Sequence, residues 1–271
     1  MILNQKKNIR KIEKYGYVKI KNFISTDKVN YYKNLINKNY LKISTKKYMG
    51  IPDRDKNDKI LYNLQNKSFE FIKLITNKYI LNFAKYFLND PYYRFIDKKY
   101  PNFNLLYFNA RSSGKELDLH IDCHLPFKGK RPNMMQFVIL LEDSNKHNGC
   151  TIVVPKSHKS GKFTNRKSQK KMALQGNSGD MLIWDSRLWH GTFENKSKIS
   201  RWAIVATFGA WWIKPMMDMP RSLPNSIYKK CSNLEKQILG FCSIPPKDEF
   251  ERINTKTRYN DLKKNVKLYY R

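Results

Sequence analysis

Two histidines and one aspartate have the most chemistry to offer. In the run Leu119-His120-Ile121-Asp122-Cys123-His124, an extended strand would turn residues i and i+2 to the same side, so His120 and Asp122 would present an imidazole and a carboxylate to one interior space. His190, far along the chain, would be the third donor. Two imidazoles and a carboxylate on one face of a metal are the donor set of non-haem iron(II) sites, which keep the opposite face open for a co-substrate and oxygen. His-x-Asp alone is a weak sign in a chain with 5 histidines, but its surroundings strengthen it.

Gly179-Asp180 is a turn signal before the apolar run Met181-Leu182-Ile183-Trp184. Ser186 to Trp189 form a short connection, and His190-Gly191-Thr192 begins the next extended run. Arg201 then opens the apolar strand Trp202-Ala203-Ile204-Val205-Ala206-Thr207-Phe208. A guanidinium left buried and unpaired costs roughly 3–5 kcal/mol, and no acidic residue nearby in the sequence is placed to pair with it. A bound dicarboxylate would.

In these residues the chain resembles the phytanoyl-CoA dioxygenase family of Fe(II)- and 2-oxoglutarate-dependent oxygenases. The resemblance is carried by His120-x-Asp122, His190, Thr192 two positions on, Arg201 eleven positions on, and Asn148-Gly149-Cys150-Thr151-Ile152-Val153-Val154-Pro155-Lys156-Ser157-His158. Family members usually have glycine where Lys156 stands, which bears on the local turn. Weaker similarity at Tyr15-Gly16-Tyr17-Val18 extends the coverage to about residues 10 to 215.

The resemblance implies a mainly β protein with flanking helices around a double-stranded β-helix core of the jelly-roll or cupin-like kind. It implies iron(II) on His120, Asp122 and His190, with 2-oxoglutarate and O2 as co-substrates. Arg201 with Thr192 would hold the distal carboxylate of 2-oxoglutarate. The expected products are succinate, carbon dioxide and an oxidised small molecule. Related halogenases carry a small residue in place of the carboxylate, so Asp122 points to hydroxylation.

Composition sets outer limits. The 271 residues suit one domain, with helical support over about 1–90, a jelly-roll core over about 91–215 and a helix and tail over about 216–271. The formal charge of +31 comes with abundant Lys, Asn, Ile, Tyr and Phe, the mixture that AT-rich coding produces, so much of the lysine needs no selected role. The charge would still draw anionic substrates and make nucleic-acid binding non-specific and salt-sensitive. The 4 cysteines form no C-x-x-C pair, which suits a reducing compartment. No apolar run reaches the ~18 residues a membrane span needs, and the expected location is cytoplasmic.

Along the chain, Tyr15–Ile20 alternates as a strand, and Ser25-Thr26-Asp27 offers caps for a helix to about Asn37. Leu41–Asn66 reads as a loop. Apolar spacing over Ser68–Leu88 predicts one or two helices. Eight strands are expected: Tyr92–Ile96, Asn104–Asn109, Leu117–Asp122, Met135–Leu141, Thr151–Val154, Met181–Trp184, Gly191–Phe193 and Arg201–Trp211. Ile227, Cys231, Leu234 and Ile238 fall on one helical face that Gly240 would stop.

The loops Leu41–Asn66, Pro126–Asn133 and Lys159–Asn177 would line the substrate pocket, with Lys42, Lys46, Lys47, Arg54, Lys128, Lys130 and Arg131 as its nearest charges. His124 reads as a neighbour of the metal site or a surface residue, His158 as structural and His147 as solvated. Trp184, Trp189, Trp211 and Trp212 read as core. Asn104, Asn109 and Gln136 carry no assignment. Two other classes stay open at this point: a basic nucleic-acid-binding protein, which would gather Lys and Arg on one face, and a non-catalytic metal-binding jelly-roll relative, whose Arg201 would stand away from the histidines.

Overall fold

The computed structural model describes residues 2–44, 59–93, 96, 100–112, 114–165, 170–197, 199–245 and 248–250. Lys46, Lys47, Arg54 and the basic end of the chain lie outside them. In chain order the elements are α1 (Ile2–Tyr15), β1 (Tyr17–Ile20), α2 (Thr26–Ser44), β2 (Lys59–Tyr62), α3 (Phe69–Ile75), α4 (Lys78–Leu88), β3 (Phe103–Ser112), β4 (Leu117–His120), β5 (Met134–Leu140), β6 (Thr151–Val153), β7 (Met172–Leu174), β8 (Met181–Asp185), β9 (His190–Thr192), β10 (Ala203–Ala210), α5 (Met219–Ser222), α6 (Asn225–Tyr228) and α7 (Asn233–Ile238).

The strands form two sheets, one in the order β1-β8-β5-β10-β3-β2 and the other β4-β9-β6-β7. This is the double-stranded β-helix expected from the sequence. One compact unit comprises Met1–Tyr62 and Asn109–Val205, and a second comprises Asn63–Phe108 and Ala206–Arg271.

In the first unit, β8 is buried at every position and β5 at all but its first. Such continuous burial, without alternation, marks strands covered on both faces. Each fully buried Leu, Ile or Phe side chain there contributes roughly 1.5–3 kcal/mol. Helix α1 is tied on by Gly16, whose N–H donates to the Ile12 carbonyl and whose φ of +90° makes the turn into β1. Helix α2 starts behind Ser25, whose hydroxyl accepts from the Lys28 N–H at 3.5 Å, and runs past the expected end. It docks on Trp202: the indole N–H donates to Asn37 at 3.1 Å, and Tyr40 meets the ring edge-on.

The second unit is held by edge-to-face rings, Phe71 on Phe108 and Phe103 on Phe208. The Gln237 amide, fully buried, donates to the Phe103 carbonyl at 3.2 Å. Trp211 stacks on Tyr93 and donates to Asp90 at 3.0 Å. Asn104 spends both ends of its amide in this unit, donating to the Trp211 carbonyl and accepting from the Ser243 hydroxyl.

Some elements differ from expectation. Pro91 and Tyr92 form a turn rather than the start of a strand; the rest of that expected strand lies largely outside the described residues. β2 and β7 are strands where loops were expected. Both are short and end their sheets, and their three or four residues stand among loop-like neighbours, too few to show an alternation. The single helical face from Ile227 to Ile238 is broken into α6 and α7, since Ser232 starts a new helix with a reciprocal capping box to Glu235. Gly240, with φ +91°, follows its end as expected.

Candidate metal centre

Strand pairing brings the three donors together. β4 and β9 are antiparallel, with His120 opposite His190. Asp122 does not share His120's strand, because β4 ends at His120. It sits in the following turn, whose Asp122 N–H donates to the Ser186 carbonyl at 2.9 Å. The connection between β8 and β9 therefore places the aspartate as well as His190.

Among the described residues, His120, Asp122 and His190 offer one ligand atom each, all within 4.8 Å of one another. The His120 Nε2 is 3.5 Å from one Asp122 oxygen and the His190 Nε2 is 3.3 Å from the other. Each ring's Nδ1 lies 2.9 Å from a backbone carbonyl two residues back, Asp118 for His120 and Leu188 for His190. A carbonyl only accepts, so Nδ1 carries the proton and Nε2 keeps its lone pair toward the cluster. Burial, with the neighbouring His120, lowers the His190 pKa and favours the neutral ring. Burial opposes ionisation of Asp122, but the positive charge that the facing imidazoles carry when protonated, with the Gln136 amide, outweighs it and holds this carboxyl well below the usual carboxylate range.

Gln136, which carried no assignment, and Trp184, read as core and buried as expected, both stand beside the three donors. Gln136 donates from Nε2 to Asp122 at 2.8 Å, so it orients the carboxylate. Trp184 stands opposite Gln136 in the β5–β8 register and lays its ring 5.0 Å from that of His190. His124 is exposed in a left-handed turn and is not one of the three donors. His158 is buried with its Nε2 3.3 Å from the Glu13 carbonyl, a structural position as expected.

Gly191 explains how β4 comes so close to β9. A Cβ there would collide with the Leu117 carbonyl and meet Asp118 backbone at 3.1 Å. Gly191→Ala is therefore expected to push β4 away, lower stability by about 1–3 kcal/mol and weaken metal retention. Thermal melting with and without added metal checks both.

Lys156, where the family has glycine, has φ +69°. A side chain there costs roughly 1–2 kcal/mol, so Lys156→Gly is expected to raise the melting temperature.

Arg201 is buried, its Nε donating to the Asn148 carbonyl at 2.9 Å and its Nη1 to the Ser144 hydroxyl at 3.3 Å. Among the described residues no carboxylate forms an ion pair with it. Glu142, the carboxylate that acts on it, is bound to Lys33 at 3.0 Å. Thr192 pairs with Thr151 across β6, and its hydroxyl oxygen is buried with no hydrogen-bond partner.

The family profile of phytanoyl-CoA dioxygenase matches residues 12–203. The chain belongs to the phytanoyl-CoA dioxygenase family. Iron, 2-oxoglutarate and oxygen are the reagents of this oxygenase family. Relatives by sequence include Dioxygenase ALT11 of Alternaria alternata, 27% identical over 41% of this chain, and the uncharacterized protein Mb1539 of Mycobacterium bovis, 25% identical over 40%. The chain matches only 37% and 41% of those proteins' own lengths. Among solved structures, HygX from Streptomyces hygroscopicus with nickel, 2-oxoglutarate and hygromycin B bound is similar at TM-score 0.62 and 15% identity, over 78% of this chain and 89% of that one. The 2-oxoglutarate-dependent epimerase SnoN from nogalamycin biosynthesis is similar at TM-score 0.60 and 15% identity, over 78% and 84%. These likenesses are of fold. No helix among the described residues is long and apolar enough to cross a membrane.

Proposed function

We propose that this family member is a 2-oxoglutarate-dependent hydroxylase of an anionic small molecule, with iron(II) held by His120, Asp122 and His190. The observation that carries the reading is the convergence of both Nε2 atoms on one carboxylate within 4.8 Å, with each ring's Nδ1 held at a backbone carbonyl. When bound, the iron supplies oxygen activation coupled to oxidative decarboxylation, so that R–H, O2 and 2-oxoglutarate give R–OH, succinate and carbon dioxide.

The chain's own residues do the positioning. Gln136 keeps Asp122 turned toward both rings, and Trp184 closes one side against water. His190 and Thr192 share a face of β9, roughly 6–7 Å apart, a span suited to a five-carbon dicarboxylate. The Thr192 hydroxyl and the Arg201 guanidinium are assigned to its distal carboxylate. A charged fork matches that group in geometry and charge. Retention of Asp122 favours hydroxylation, since the aspartate occupies the place a halide would need.

The test is succinate release by Fe(II)-loaded protein across metabolite pools separated by charge. Anionic pools are expected to stimulate it. With the stimulating compound in hand, kcat/KM is expected to fall as salt rises, and to fall further in Lys128→Gln/Lys130→Gln/Arg131→Gln, because only charges within about 8–10 Å of the path act through ordinary buffer. Stimulation by neutral pools alone, with a salt-independent rate, would remove the anionic substrate and leave the oxygenase.

A further inference from the structure

Charge is unevenly placed on the first unit. β4 ends and β9 begins at the metal donors, and Val153 at the end of β6 pairs with His190. The segments 121–133, 154–165 and 186–189 therefore all start from the metal end. No acidic residue stands between Asp122 and Glu142 or between Asp143 and Asp180, whereas Lys128, Lys130, Arg131, Lys156, Lys159 and Lys162 are all exposed there. Of the other described acids of the same unit, Asp27 begins α2, Glu116 and Asp118 stand at the start of β4, Glu142 and Asp143 beyond β5, Asp180 before β8 and Glu194 beyond β9, while Glu13, exposed near the end of α1, lies beside the segment at 154–160 with its carbonyl 3.3 Å from the His158 Nε2. Asp185, at the metal end, is buried and bound to Arg187 at 2.7 Å.

These basic segments are built together. Arg187 donates to the Gly129 carbonyl at 2.9 Å and lies over the Phe127 ring. The Trp189 N–H donates to Ser157 at 2.8 Å and its indole to the Lys162 carbonyl at 3.3 Å. Gly161 backs onto Lys128, whose side chain would meet a Cβ there. From this shared rim Leu125 and Phe163 project at 72% and 66% exposure. Large apolar side chains among exposed lysines have the composition of an interfacial surface: the cations meet anionic headgroups while the apolar tips enter the acyl boundary. Nucleic acid would use the lysines and stack on Phe163 but has nothing for Leu125.

We propose that the metal-bearing end of the first unit docks on an anionic lipid surface through these lysines, Leu125 and Phe163, and that the substrate is an amphiphile taken from that surface. The choice of substrate rests on the oxygenase reading; the docking does not. The full chain, without added iron, is sedimented with vesicles of phosphatidylcholine alone or with about one third phosphatidylglycerol, the anionic fraction that sets the surface potential. Binding is expected to the anionic vesicles only and to weaken with salt. Leu125→Ser/Phe163→Ser and Lys128→Gln/Lys130→Gln/Arg131→Gln are each expected to weaken it about tenfold or more, with melting temperatures unchanged. Lys28→Gln/Lys38→Gln/Lys42→Gln on α2 is expected to have little effect. Equal loss in the α2 variant, no loss in Leu125→Ser/Phe163→Ser, displacement by soluble glycerophosphoglycerol, or tighter binding to single-stranded DNA than to vesicles would each overturn the docking. A chain that binds vesicles but never releases succinate would overturn the oxygenase reading instead.

Discussion

Replacing His190 with alanine is expected to leave a folded protein without iron and without 2-oxoglutarate turnover. The residue opens β9 and is buried, with Nδ1 fixed by the Leu188 carbonyl, so nothing else in its place can present a lone pair to Asp122. Losing a metal ligand should exceed the roughly 10–100-fold that loss of an outer hydrogen-bond partner costs. Gln136→Leu supplies that lesser case, because it removes one contact to Asp122 and leaves all three donors. Metal content by elemental analysis and succinate release should therefore fall to background in His190→Ala and only partly in Gln136→Leu. Stoichiometric iron in a His190→Ala protein of unchanged melting temperature would remove the assignment.

The candidate donors were legible because His-x-Asp, a weak sign alone, was followed by a distant histidine with Thr192 and Arg201 at the spacing of the resembled family. The route by which they meet was not. Asp122 is placed by the Ser186 carbonyl, a contact across the fold that strand alternation does not contain. Gln136 and Trp184 become partners only through the β5–β8 register, and register is a property of paired strands. Central strands such as β8 announced themselves by continuous apolar runs, whereas β2 and β7, of four and three residues, were too short to show a pattern. The excess of lysine read mostly as composition, with Lys128, Lys130 and Arg131 singled out by their place directly after His120 and Asp122. Sequence alone does not say that the segment after Val153, with Lys156, Lys159 and Lys162, starts at the same end.

Arg201→Ala is expected to keep iron and lose discrimination for 2-oxoglutarate. One charge-assisted hydrogen bond is worth about 1.5–3 kcal/mol, so a two-pronged contact makes roughly a hundredfold rise in the 2-oxoglutarate KM the expected result. Arg201→Lys should recover only part, since an ammonium cannot match both carboxylate oxygens at once. The guanidinium also ties the Asn148 carbonyl to the Ser144 hydroxyl, and a purely structural arginine would likewise damage the protein when removed. Co-substrate choice separates the two roles. The wild-type protein should prefer 2-oxoglutarate strongly over 2-oxobutyrate, which lacks the distal carboxylate. If Arg201 binds that group, the preference collapses in Arg201→Ala while turnover with 2-oxobutyrate changes little, because a buried site that has lost its cation gains nothing from the extra charge. If it only braces the loop, both co-substrates suffer alike and the preference survives. Thr192→Val should show the same loss of preference more weakly, since a hydroxyl contributes a neutral donor. An unchanged KM for 2-oxoglutarate in Arg201→Ala would assign the distal carboxylate to other residues and leave the metal donors as they stand.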